Sequence, residues 1–189
     1  YLDASKTGDA VNNTDVVAGQ GTAMEHHWDE AFGYLGVPRD FPTNTTGLAF
    51  WGDYVNRRDA QLGSNAKLMN AFLKGRAAIV NKDMQGKNEA ILTIREEWEK
   101  VSAATAISYL NRAKTNLTDD AVRNHVLTEA IGFVNALRFS PAKKISNTQV
   151  DQVLGFIGTN LYEVKAADLD QARDLLATVY GLTDRKDTF

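Results

Sequence analysis

The stretch HHWDEAFGYLGVPRDFP at residues 26–42 decides the fold, because the chain uses a similar stretch, HVLTEAIGFVNALRFSP, at residues 125–141. The two align without a gap after a shift of 99 residues, and they share His, Glu, Ala, Gly, Arg and Pro positions. An aromatic residue follows the shared glycine in each copy. Two copies of one supersecondary unit predict a fold that was built by duplication.

The similarity extends to the residues before each copy. Residues 1–7, YLDASKT, resemble residues 109–115, YLNRAKT, and the loop that follows is nine residues longer in the first copy. In the second copy this motif closes a long predicted helix, whereas in the first copy it opens the chain. The internal repeats therefore cover about residues 1–63 and 109–160. We expect the chain to be the C-terminal part of a longer protein, with the missing N-terminal portion as its partner.

Composition limits the classes of function. The 189 residues carry a net charge of −3 and form no basic stripe, so nucleic acid is not an expected partner. No apolar run approaches 18 residues, so no transmembrane segment is predicted. The chain has no cysteine, which excludes thiolate nucleophiles, cysteine zinc sites and iron–sulfur clusters. This length is typical of one domain, here residues 1–189.

Apolar residues recur at spacings of three to four along most of the chain, and alternating runs are scarce. This periodicity predicts an all-α fold. Cap and stop signals predict about seven helices, over about residues 16–36, 47–62, 65–81, 88–115, 119–139, 146–156 and 167–181. The expected architecture is a helical bundle in which a helix–loop–helix unit is duplicated.

Two His/Glu pairs lie at matched positions of the repeat. His125 and Glu129 are four residues apart, and His27 and Glu30 are three apart, with His26 as the alternate imidazole. Imidazole and carboxylate ligands suit iron and zinc. The sequence therefore predicts a metal site formed by both pairs at a shared seam. The alternative is that each pair is a half-exposed ion pair or a buried hydrogen bond that fixes the helix pairing.

Gly33 and Gly132 recur inside the two predicted helices. A glycine in a helix interior costs about 1 kcal/mol relative to alanine. A glycine lets a neighbouring helix approach closely, and that packing would offset the cost. Both glycines are therefore predicted to be packing residues.

Residues 25–36, EHHWDEAFGYLG, together with FWGDYVN at 50–56 and RNH at 123–125, resemble the signature of a family of Bacteroidetes envelope lipoproteins. That family is similar to the imelysin-like proteins, and the resemblance covers the whole chain as the C-terminal half of a longer protein. It implies a helical bundle, a link to iron uptake, and an extracytoplasmic location with a lipid anchor outside this chain. His27 and Glu30 would supply the last part of the family's Gly-x-His-x-x-Glu motif, although Glu25 stands at the glycine position.

Three classes of function follow from these patterns. The first is an extracytoplasmic protein that binds iron, another metal or a metal-carrying small ligand through its His-x-x-Glu site. The second is a metallopeptidase, which is not expected because the chain has no His-Glu-x-x-His run. The third is a structural or interaction module of the cell envelope, with another envelope protein as its partner and neither metal nor catalysis.

Overall fold

The computed structural model describes residues 1–189, and the fold is all-helical. The prediction of an all-α class is confirmed. The seven predicted helices correspond to seven of the eight α-helices, and a short first helix was not predicted. The helices are α1 (Ala4–Thr7), α2 (Ala23–Leu35), α3 (Trp51–Leu62), α4 (Ser64–Val80), α5 (Met84–Thr115), α6 (Asp120–Ala136), α7 (Asn147–Ile157) and α8 (Ala166–Tyr180). Two short 3-10 helices cover Leu137–Phe139 and Lys186–Thr188.

The start of α2 differs from the prediction. The sequence pattern placed it near residue 16, but the helix begins at Ala23. Gly19 and Gly21 have φ values of 80° and 77°, and a tight turn joins Val17 to Gly21 through an isolated β-bridge. Positive φ values of this kind interrupt a right-handed helix. The apolar residues before Ala23 therefore belong to this turn.

Two further helix starts moved by about one turn. Helix α3 begins at Trp51 instead of residue 47, because Phe50 has a φ of 49° that is incompatible with a preceding helical turn. Helix α5 begins at Met84 instead of residue 88. There the Asp83 carboxylate accepts a hydrogen bond from the Gly86 N–H at 2.9 Å, which satisfies a free donor of the first turn.

The chain forms two compact units. The first comprises residues 1–59 and 63–97, and the second comprises residues 60–62 and 98–189. In the first unit α1 packs on α2, and α2 packs on α4. In the second unit α6 packs on α7, and α7 packs on α8. None of the helices combines the length and the hydropathy needed to cross a membrane.

The prediction that Gly33 and Gly132 are packing residues is wrong. Both are exposed, and a Cβ built on either would meet nothing within 4 Å. The glycine that permits close packing in the first unit is Gly75 of α4. A Cβ there would lie 2.1 Å from the Trp28 ring. The indole of α2 thus occupies the space that a side chain at position 75 would need.

Candidate functional site

The N-terminal turn of α2 is fixed by a capping box. The Thr22 hydroxyl accepts from the Glu25 N–H at 3.2 Å, and the Glu25 carboxylate accepts from the Thr22 N–H at 2.7 Å. Arg76 of α4 then binds Glu25 and Asp29, each at 2.9 Å. The Thr22 hydrogen bond and the Arg76 guanidinium hold the pKa of Glu25 below its ordinary value. The N-terminal end of α2, next to the candidate residues, is therefore held in a fixed conformation.

Trp28 fixes the opposite face of the same helix. Its ring is 1% exposed, and its Nε1 donates to the Phe72 carbonyl at 3.0 Å. The rings of Trp28 and Phe72 meet edge to face with centroids 5.9 Å apart. With Trp28 locked against α4, the rotation of α2 about its axis is set. His26 and Glu30 consequently lie on the accessible side.

His26 and Glu30 form the imidazole–carboxylate pair of the first unit. The His26 Nε2 lies 3.7 Å from a Glu30 oxygen, with 44% and 35% of the two side chains exposed. The alternate residue of the sequence prediction is therefore the imidazole that the structure places nearest to Glu30. A half-exposed pair of this kind on one helix adds only a few tenths of a kcal/mol to stability.

His27 has a different partner. Its Nδ1 lies 2.8 Å from the carbonyl oxygen of Lys6, at the end of α1. Because a carbonyl only accepts, Nδ1 carries the hydrogen, and in the neutral ring the lone pair is on Nε2. A backbone carbonyl on one ring nitrogen is the usual partner of a histidine whose other nitrogen binds a metal. The same bond also fastens α1 to α2.

Two tyrosines stand beside this pair, and the sequence patterns did not single them out. The rings of Tyr1 and Tyr34 stack with centroids 5.6 Å apart and planes 27° apart. The negative charge of Glu30, followed by the neighbouring Tyr34, raises the pKa of Tyr1. The Lys6 ammonium lies 5.4 Å from the Tyr1 centroid. The face of α2 therefore carries two phenols, a carboxylate and an imidazole, which we call the α2 face: Tyr1, His26, Glu30 and Tyr34.

The matched residues of the second unit form a surface with fewer polar groups. Tyr109 and Phe133 stack with centroids 5.9 Å apart and planes 26° apart, close to the geometry of Tyr1 and Tyr34. His125 is exposed and Glu129 is half-buried. The position that matches His27 holds Val126, which is fully buried. We call this surface the α6 face: Tyr109, His125, Glu129 and Phe133.

The sequence profile of one family, described as a domain of unknown function (DUF4856), matches residues 1–183. The chain belongs to the DUF4856 family. No curated protein and no solved structure matches the chain. The match spans both His/Glu pairs, so both candidate faces lie within the DUF4856 domain. The family description assigns neither a ligand nor a reaction to the domain.

The predicted four-residue metal site stays a prediction for the DUF4856 domain. His26, His27 and Glu30 lie in the first unit, whereas His125 and Glu129 lie in the second. No group of three or more His, Cys, Asp or Glu side chains in the structure converges closely enough to hold a metal ion. A metal on either face would therefore need donors of another residue type or from solvent.

A second polar cluster of the DUF4856 domain is structural. Glu99 is 4% exposed, and its carboxylate accepts from the Ser140 hydroxyl at 2.5 Å, the Lys144 N–H at 2.7 Å and the Tyr180 hydroxyl at 2.6 Å. Burial, followed by the bond to Glu99, raises the pKa of Tyr180 well above its ordinary value. Both oxygens of this buried carboxylate therefore accept hydrogen bonds. It fixes the loop after α6 to α5 and α8.

Proposed function

We propose that this domain binds a metal ion, iron or zinc, or a small ligand that carries one, on the α2 face. Glu30 and an imidazole are the ligands, with His26 nearest and His27 as the second candidate. The observation that carries the proposal is the 3.7 Å separation between His26 Nε2 and a Glu30 oxygen. Two atoms that each bind one metal ion at about 2.0–2.2 Å lie at most about 4.4 Å apart. The pair can therefore share an ion without any change in the helix.

The α6 face belongs to the proposal as the weaker site. His125 and Glu129 keep the spacing of His26 and Glu30, but no second imidazole stands beside them because Val126 is buried there. Fewer donors of the right type mean lower affinity for the same ion. Binding, and not peptide hydrolysis, is proposed because the chain lacks a His-Glu-x-x-His run.

We further propose that the domain acts outside the cytoplasm, in the periplasm or on the outer-membrane surface, as part of a lipid-anchored protein that resembles the imelysins. The resemblance of residues 25–36 supports this location, and the absence of cysteine is compatible with it. Cell fractionation with an antibody against the domain tests it. Recovery with the envelope is expected, and recovery with the cytoplasm would overturn the location.

A structural or interaction role in the envelope is the second candidate function, and a specific observation favours it. Basic side chains bind the backbone carbonyls of the first residues: His27 binds Lys6, Arg95 binds Leu2 at 2.6 Å, and Lys87 binds Thr7. In this role His27 only fastens α1 to the rest of the first unit, and no metal binds.

Elemental analysis and metal titration of the purified chain separate the two candidates. The wild type is loaded with Zn²⁺ and with Fe³⁺ and compared with His26→Ala, His27→Ala and Glu30→Gln, and with His125→Ala as the matched variant at the weaker site. Metal binding requires the Glu30 and His26 variants to lose affinity by more than about tenfold, with a small effect in His125→Ala. If the wild type and all variants bind metal equally, or if none of them binds it, only the structural role remains.

A further inference from the structure

The α2 face carries two phenols that the His/Glu proposal does not use. Tyr1 and Tyr34 are 41% and 58% exposed, so neither is a core residue. Their rings stack on each other, and Tyr34 lies four residues after Glu30, on the same face of α2. The stacked pair lies at the surface, one helical turn from the Glu30 carboxylate.

We propose that the Tyr1 and Tyr34 hydroxyls are metal ligands together with Glu30 and His26, and that the ion of this site is Fe³⁺. The inference rests on the metal-binding function proposed above, and it names the metal and the missing donors. It answers the shortage of donors, since the imidazole and carboxylate groups do not by themselves converge in a set of three.

The charges of this donor set favour a trivalent ion. Two phenolates and one carboxylate carry three negative charges, and the imidazole is neutral. Fe³⁺ balances that charge, whereas Zn²⁺ bound to the same ligands would leave one net negative charge on the site. Imidazole is a suitable ligand for iron, and tyrosine is an established protein ligand of ferric haem iron. On binding, each phenol transfers its proton to solvent, and the iron remains Fe³⁺ without any transfer of electrons.

The surface above the donors is open. Gly33 lies on the same side of α2 as His26 and Glu30, at the i+7 and i+3 positions. A Cβ built on Gly33 meets nothing within 4 Å. An ion bound there can complete its coordination with water or with an anion that carries the iron. A glycine at this helical position, which has no packing role, leaves that approach free.

The α6 face supplies an internal comparison. It keeps Tyr109, His125 and Glu129 at the matched positions, but Phe133 stands where Tyr34 stands on the α2 face. The ring pair has nearly the same geometry on both faces. One phenol is therefore missing from the α6 face, and the inference assigns Fe³⁺ to the α2 face alone.

Visible absorption during titration with ferric nitrilotriacetate tests the inference. Phenolate bound to Fe³⁺ gives a charge-transfer band that Zn²⁺ and free tyrosine do not give. The wild type should develop the band, and Tyr34→Phe and Tyr1→Phe should each weaken it, because one phenolate remains, and should bind Fe³⁺ more than about tenfold more weakly. Zn²⁺ affinity should be nearly unchanged in both variants. Tyr162→Phe, which removes another exposed phenol, is the matched control and should behave as wild type.

The outcomes separate this inference from the function on which it rests. Fe³⁺ binding without a visible band, or with the same affinity in Tyr34→Phe, would overturn the phenol ligands while the His26/Glu30 site stands. Failure of both Fe³⁺ and Zn²⁺ to bind the wild type would overturn both proposals. Because Tyr34 is 58% exposed and phenylalanine keeps its ring, circular dichroism should show an unchanged fold in Tyr34→Phe.

Discussion

The α2 face and the α6 face hold stacked ring pairs of nearly the same geometry and share an imidazole and a carboxylate, but they differ in other groups beside the rings. Ring centroids are 5.6 Å apart in one and 5.9 Å in the other, with planes 27° and 26° apart. The first face has a second phenol that the other lacks, and a second imidazole, His27, is its neighbour on α2. At the matched positions the second copy replaces His27 by Val126, Trp28 by Leu127, Glu25 by Asn124 and Tyr34 by Phe133.

This difference distinguishes the groups that pack the fold from the groups that we propose to bind a ligand. Stacked rings restrict the two segments that carry them, so a duplicated helix pair would keep that geometry in both copies. Half-exposed polar groups are under no such restriction. The presence of His27 and Tyr34 in one copy and their replacement in the other is what we expect where one copy keeps a ligand site. The duplication itself remains a proposal, and the matched ring pairs support it.

The largest expected effect concerns the buried residues behind the two faces. Trp28→Ala should lower the free energy of unfolding by about 4 kcal/mol, and Leu127→Ala by about 3 kcal/mol. Trp28 leaves the larger cavity and also leaves the Phe72 carbonyl without its donor. Urea denaturation measures both. A smaller loss for Trp28→Ala than for Leu127→Ala would show that the indole does not anchor α2.

Adding the missing phenol should allow the α6 face to bind Fe³⁺, as we propose for the α2 face. F133Y is expected to add about one further equivalent of Fe³⁺ per chain and to strengthen the visible band, because it supplies the second phenol beside Glu129. F139Y, which adds a phenol at a residue 84% exposed, is the control. Iron stoichiometry is the measurement. Equal iron binding in F133Y and F139Y would contradict the comparison.

The capping box makes the first copy sensitive to acid. The pKa of Glu25 is lowered in the folded state, so its contribution to stability is present above the ordinary value of 4.5 and is lost as pH falls through the folded-state value. Glu25→Gln should cost about 1 kcal/mol near neutral pH and reduce the loss of stability below pH 4.5. Denaturation at a series of pH values measures this. The same acid sensitivity in wild type and variant would rule out Glu25 as its source.

The smallest effects concern the open glycines Gly33 and Gly132. Gly33→Ala and Gly132→Ala should each raise the free energy of unfolding by about 0.5–1 kcal/mol, because both positions are helical and open. Gly75→Ala should lower it by about 1–3 kcal/mol, since the Trp28 ring fills that space. Thermal melts of the three variants provide the test. A loss of stability in both Gly33→Ala and Gly132→Ala would restore their packing role.

Much of the fold could be predicted because helices are encoded locally. Apolar spacing located seven helices, and the predicted start of α7 at residue 146 lies within one residue of its start at Asn147, where Ser146 is the N-cap. The start of α2 was missed even though Thr22 and Glu25 have the spacing of a capping box. Apolar residues before Thr22 extended the pattern, while the positive φ of Gly19 and Gly21 shows only in three dimensions.

The candidate site was predicted only in part, for a related reason. The spacing of His26 and Glu30 is a property of one helix, so it could be read from the sequence. The preference for His27 depended on the His-x-x-Glu part of an imelysin-type motif. No local pattern predicted that the Lys6 carbonyl would accept a hydrogen bond from the His27 Nδ1. The stacking of Tyr1 on Tyr34 depends on how α1 packs on α2, which residue spacing does not encode.

The most direct test of the metal site is a crystal of the chain soaked with Fe³⁺ and measured at the iron absorption edge. The account predicts an anomalous difference peak about 2.0–2.2 Å from a Glu30 oxygen and from His26 Nε2, with Tyr1 and Tyr34 turned toward it. A peak only at other residues, or no peak at full soaking, would contradict it.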